Sequence, residues 1–86
     1  MSSIQDVADA AYRIGQSAKE AQTRTMSCAD TLKTHSAHLG ATVRGSRTGE
    51  DAVRLVSQAE RSVRESAARL LALQSTIDRF LQDLTK

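Results

Sequence analysis

The chain has 86 residues, of which 40% are hydrophobic and 26% charged; proline and tryptophan are absent, and Tyr12 and Phe80 are the only aromatics. That size admits one small domain with a thin core. No apolar run approaches the roughly 18–20 residues needed to cross a bilayer, and Cys28, the only cysteine, excludes an internal disulfide. Twelve basic residues against ten acidic ones leave a net charge of +2, a mild bias that falls after residue 43 and is no polycation.

The opening stretch Met1-Ser2-Ser3-Ile4-Gln5-Asp6-Val7 has neither a basic run nor a continuous apolar block, so no conventional signal peptide is expected. A lone cysteine agrees with a reducing compartment, and the expected location is cytoplasmic. Ser3, with Asp6 three residues on, forms a helix start signal of the capping-box type. From there the spacing predicts a first helix over about 4–43. Its seam of alternating three- and four-residue steps reads Ile4, Val7, Ala11, Ile14, Ala18, Ala21, Thr25, Cys28, Leu32, His35 and Leu39. Gly15 is the weak point inside it, costing about 1 kcal/mol relative to Ala.

Three of the four glycines, Gly40, Gly45 and Gly49, fall within the next stretch, around the polar run Arg44-Gly45-Ser46-Arg47-Thr48-Gly49. A glycine ends a helix well and a Ser or Thr starts one. A turn is therefore expected at about 44–48, with Thr48 and Asp51 as the second start signal. The second helix is predicted over about 49–84, with a seam of Ala52, Val56, Ala59, Val63, Ser66, Leu70, Leu73, Ile77, Phe80 and Leu84.

With the turn centred near residue 46, residues whose numbers sum to about 92 should face one another. Leu70, Leu73 and Phe80 would lie near the small Ala21, Ala18 and Ala11, Ile77 near Ile14, and Leu84 near Val7. The expected fold is all-α: one antiparallel, coiled-coil-like two-helix hairpin about 55–60 Å long, able to pair into a four-helix bundle. Ile4, Val7, Ile14, Leu70, Leu73, Ile77, Phe80 and Leu84 are its expected packing residues. Tyr12, Met26, Leu55, Leu71 and Leu81 fall outside this seam, and burial of Tyr12, Leu55, Leu71 and Leu81 against a helical partner or a second copy would extend a core that is otherwise short.

Chemistry-bearing residues are few. Cys28, His35 and His38 are too few and too widely spaced for a four-ligand structural zinc site, and Cys28 and His35 fall on the seam, where a packed thiol and imidazole are expected. Protonation of a buried His35 would loosen the middle of the hairpin. No phosphate loop, nucleophile elbow or His-Glu-x-x-His motif occurs, and a two-helix hairpin offers no concave pocket, so no catalytic residue, metal or cofactor is expected. Arg47, Arg54 and Arg61 recur every seven residues and, with Arg44 and Arg64, form a weak basic row; Glu50, Asp51, Glu60 and Glu65 interrupt it, and no aromatic is available to stack on bases.

A hairpin of this length with a glycine in its turn resembles the WxG family of small type VII secretion substrates and partners. The turn reads Val43-Arg44-Gly45, keeping the glycine without the tryptophan, and Phe80 is followed by Asp83 at three residues where the family's Tyr-x-x-x-Asp/Glu signal has four. The chain is also similar to small actinobacterial helical proteins with a Met-Ser-Ser-Ile/Val start, an Ala-Thr-x-Gly-Ser turn and an Ile-x-x-aromatic-Leu-x-x-Leu end. Here these are Met1-Ser2-Ser3-Ile4, Ala41-Thr42-Val43-Arg44-Gly45-Ser46 and Ile77-Asp78-Arg79-Phe80-Leu81-Gln82-Asp83-Leu84. The resemblance implies the same hairpin, export without a signal peptide, and a place beside secretion substrates or polymorphic toxins. Three function classes are expected: a non-enzymatic helix–helix interaction protein, which the resemblance would make an accessory or partner of a type VII-like secretion substrate, a small basic nucleic-acid-associated or regulatory protein, and a self-assembling structural subunit.

Overall fold

The computed structural model describes residues 3–85; the Met1-Ser2 part of the opening motif and Lys86 lie outside it. Two helices account for nearly all of these residues: α1 over Ile4–Thr42 and α2 over Arg47–Leu84. They run antiparallel as one hairpin measuring 63 × 19 × 14 Å.

Local chemistry fixes the start of each helix and the turn between them. Ser3 Oγ accepts from the Asp6 backbone N–H at 3.1 Å, and the Asp6 carboxylate accepts from the Ser3 N–H at 3.4 Å. This reciprocal box satisfies two donors that a helix start leaves without partners. At the turn Gly45 takes a φ of +82°, a left-handed conformation that glycine adopts without Cβ strain. Ser46, not Thr48, then caps α2, its hydroxyl accepting from Gly49 N–H at 3.1 Å. The second helix thus starts two residues earlier than the sequence suggests, because the left-handed Gly45 presents Ser46 first.

The helix–helix seam differs from the expected one in a systematic way. In α1 the inward positions are Ala8, Ala11, Gly15, Ala18, Gln22, Thr25, Ala29, Leu32, Ser36 and Leu39. In α2 they are Val53, Val56, Glu60, Val63, Ala67, Leu70, Gln74, Ile77, Leu81 and Leu84. Every second step coincides with the sequence-derived seam, and the alternate ones move by one residue. Gly15 replaces Ile14, Ala29 replaces Cys28, Ser36 replaces His35, Gln74 replaces Leu73 and Leu81 replaces Phe80.

The physical reason is close approach. The four buried residues are all alanines, Ala11, Ala18, Ala29 and Ala67, and no large side chain is fully enclosed. A Cβ placed on Gly15 would stand 3.2 Å from Ile77 Cγ2, so the axes are too near each other there for Ile14 to lie between them. Ile77 therefore packs on Gly15 and not on Ile14. The sum of 92 holds at this contact and again at Val43 and Gly49, where an added Cβ would collide with the Val43 side chain.

Four of the eight expected packing residues, Val7, Leu70, Ile77 and Leu84, are half-buried. The other four are not: Ile4 is 69% exposed, Ile14 51%, Leu73 40% and Phe80 42%. Cys28 and His35 are exposed as well, so the packed thiol, the packed imidazole and the pH-dependent loosening expected from them lose their premise.

Candidate helix-packing interface

With the seam placed, the two broad faces of the hairpin can be told apart. On one face Ile14 and Ala21 of α1 stand across from Leu73 of α2 over a groove floored by Ala18 and Leu70, with Arg13 and Ser17 on its rim. Further toward the turn the same face carries Cys28 opposite Ser66, over Thr25 and Val63, with Arg24 beside them. These residues precede a seam position by one, and they recur every seven: Val7, Ile14, Ala21, Cys28, His35 and Thr42 on α1, and Ala52, Ala59, Ser66, Leu73 and Phe80 on α2. None of these is Asp, Glu, Lys or Arg, but Arg13 and Arg24 line the same grooves, so the face is apolar along its middle and charged at its edge.

The opposite face follows seam positions by one and is mixed. Tyr12, Gln16 and Lys19 meet Gln74, Asp78 and Leu81 near the open end. Gln22 and Met26 meet Arg64, Ala68 and Leu71 near the middle. Arg64 ties this face together: Nε donates to Glu60 at 2.7 Å on its own helix, and an NH2 proton reaches Asp30 across the seam at 3.2 Å. The hydrogen bond to Glu60, then that to Asp30, holds the guanidinium pKa above its usual value. The inward Glu60 carboxylate is thereby paired, which a half-buried charge requires.

Polar seam residues are satisfied in the same economical manner. Ser36 and Ser57 hydroxyls bond across the helices at 3.1 Å. Thr25 donates to the Ala21 carbonyl at 2.7 Å, and the Gln74 amide reaches the Leu70 carbonyl at 3.3 Å. Among the described residues no buried side-chain N or O lacks a partner.

Of the outer apolars expected at an interface, Tyr12, Leu55 and Leu71 are exposed at 58%, 67% and 53%. Leu81 belongs to the seam itself, a correction that follows from the one-residue shift. Met26, expected beside them, is half-buried on the mixed face. Leu55 lies one turn out from Ala52 and Ala59, on the shoulder of the first face.

The basic row does not come together as a phosphate site. Arg47, Arg54 and Arg61 are exposed on the outer side of α2, but Arg54 pairs with Asp51, and Arg64 points to Glu60 and Asp30. Tyr12 sits at the other end of the hairpin. Among the described residues no group of three His, Cys, Asp or Glu side chains stands close enough to hold a metal ion. Nor is any helix there long and apolar enough to cross a membrane.

No protein-family model, no curated protein and no solved structure matches the chain.

Proposed function

We propose that this chain is a non-enzymatic helix–helix interaction protein, a hairpin whose role is to supply two helices to a larger helical assembly. One observation carries the reading. The core closed by the hairpin itself consists of alanine, while Ile14, Leu55, Leu71, Leu73 and Phe80 remain 40–67% exposed. Helices in bundles bury three or four positions of each seven, and among the described residues these fully bury only Ala11, Ala18, Ala29 and Ala67. The solvent-accessible area says the same: a compact chain of 9.3 kDa is expected to expose about 5,000 Å², and this one exposes 6514 Å².

Gly45 is the one turn residue on which the resemblance to the WxG family rests. Under that resemblance the assembly serves type VII-like secretion. The basic-row reading is weaker, because Arg54 and Arg64 are engaged by carboxylates.

Chemical unfolding at sub-micromolar concentration tests the reading. An incomplete core predicts a stability below about 4 kcal/mol, since a single core of this size rarely supplies more than 3–5 kcal/mol. A dilute chain with more than about 8 kcal/mol would be a self-sufficient domain and would contradict it.

A further inference from the structure

We propose that the hairpin has a second packing frame, and that two polar ties on its mixed face, Arg64–Asp30 and Ser36–Ser57, hold it out of that frame. The inference goes beyond the interaction reading: it concerns how α1 and α2 face each other, whatever covers them.

The two frames share half of their positions. Ala11, Ala18 and Thr25 of α1 and Val63, Leu70 and Ile77 of α2 belong to both. The remaining positions fall one residue earlier in the second frame, where Ile14 takes the place of Gly15, Cys28 of Ala29, and Leu73 of Gln74. At about 100° per residue, moving one of the two seam positions in each heptad turns the centre of the buried stripe by about 50°. In an antiparallel pair the positions that precede the seam lie on one broad face. The two helices therefore change frame by turning about their own axes in opposite senses, as meshed gears do.

The frames trade area against closeness. The second takes Ile14, Leu73 and Phe80, now 51%, 40% and 42% exposed, into the seam together with His35 and Ser66. It carries Gln22, Glu60 and Gln74 out to water. The observed frame instead closes on Ala29 and Ala67, 0% and 2% exposed, and seats Ile77 on Gly15. Burial of apolar area favours one frame and close contact the other.

Polar ties decide between them. An Arg64 NH2 proton reaches Asp30 at 3.2 Å, and the Ser36 and Ser57 hydroxyls bond at 3.1 Å. Asp30, Arg64 and Ser57 each follow a seam position by one, so these ties draw together the edges that the counter-rotation parts. Glu60 adds to the bias. Its inward side chain is 19% exposed, and the bond from Arg64 Nε at 2.7 Å offsets the cost of a charge there. Without Arg64 the carboxylate gains by moving to solvent, which the second frame allows. Fixing one of several packings is the best attested use of polar groups on a helix seam. The second frame also withdraws Ile14, Leu73 and Phe80 from the surface, so the ties keep the apolar face on display.

Thiol labelling with a small maleimide, with circular dichroism on the same samples, tests the proposal. Cys28 is exposed in the observed frame and on the seam in the second. Position 29 is the reverse, since Ala29 is fully buried. In the parent chain Cys28 labels fast, and the thiol of Ala29→Cys in a Cys28→Ser chain labels slowly. Adding Arg64→Ala and Ser57→Ala to each chain should slow Cys28 by about 10-fold and speed the thiol at position 29 by as much, with helicity retained. Ala67→Cys in the Cys28→Ser chain repeats the second arm on α2 if Ala29→Cys does not fold. If the paired substitutions melt the hairpin, Ser57→Ala alone is read by the same two rates, which should move the same way by a smaller factor. Faster labelling at both sites of a helical chain would mean loosening without a second frame. Unchanged labelling at both would mean that the ties hold nothing. Either result overturns the proposal, as does a parent chain in which Cys28 is already protected. The interaction reading is untouched by these rates and falls only on the unfolding free energy of the dilute chain.

Discussion

Gly15 of α1 lies under Ile77 of α2, with room for an added Cβ only at 3.2 Å from Ile77 Cγ2. This single approach sets the spacing of the open half of the hairpin and decides which side of α1 faces inward. It also makes sense of a glycine in mid-helix, where it would otherwise cost about 1 kcal/mol. A large side chain there has to push the helices apart. Gly15→Leu is expected to destabilise by about 1–3 kcal/mol, measured by urea unfolding at fixed concentration. Gly40 is the control: nothing lies within 4 Å of an added Cβ in this helical position, so Gly40→Ala should stabilise by about 0.5–1 kcal/mol. Equal effects at the two glycines would show that the helices do not approach at Gly15.

At the turn, Gly49 and Val43 form a matched pair, since a Cβ on Gly49 would collide with the Val43 side chain. Gly49→Ala should therefore cost about 1–3 kcal/mol despite the better helix propensity of alanine. Val43→Gly in the same chain should restore part of the loss. A double-mutant cycle measures this coupling, and additivity of the two changes would refute the contact.

Ala29 is fully buried and Ala37 is exposed, eight residues apart on one helix. Enlarging both to leucine separates the seam from the surface. Ala29→Leu should lose about 1–3 kcal/mol from overpacking, and Ala37→Leu should stay within about 0.5 kcal/mol of the parent. Thermal and chemical unfolding give both values.

Arg64 is bonded to Glu60 on its own helix and to Asp30 on α1. Arg64→Ala removes both and leaves Glu60 half-buried without its cation. The expected outcome is a lower melting temperature in dilute buffer. The Asp30 part of that loss should shrink in high salt, because Asp30 is solvent-facing and screened. An unchanged melting temperature at low salt would contradict the pairing.

Much of the architecture is legible in the residues. The Ser3–Asp6 box, the glycine turn and the three–four spacing define two helices and their antiparallel return, and the sum of 92 fixes their register. The seam is only half legible, for a physical reason. On hydrophobicity alone the expected frame fits better than the observed one, which places Gln22, Glu60 and Gln74 on the seam. Choosing the bulkier member of each pair selects Ile14 over Gly15, Cys28 over Ala29, Leu73 over Gln74 and Phe80 over Leu81. Close packing of just two helices favours the smaller member on α1, and the bulky residues are displaced to the adjacent face. Ile14, Leu73 and Phe80, expected in the core, are thus the residues that make one broad face of the hairpin apolar, and the sequence signal for that face was the same heptad pattern.

The proposed role requires that the hairpin alone closes only an incomplete core, of alanines. The most direct test is chemical unfolding of the wild-type chain at sub-micromolar concentration. The incomplete core predicts a stability below about 4 kcal/mol. A stability above about 8 kcal/mol would show a self-sufficient domain and would contradict that role.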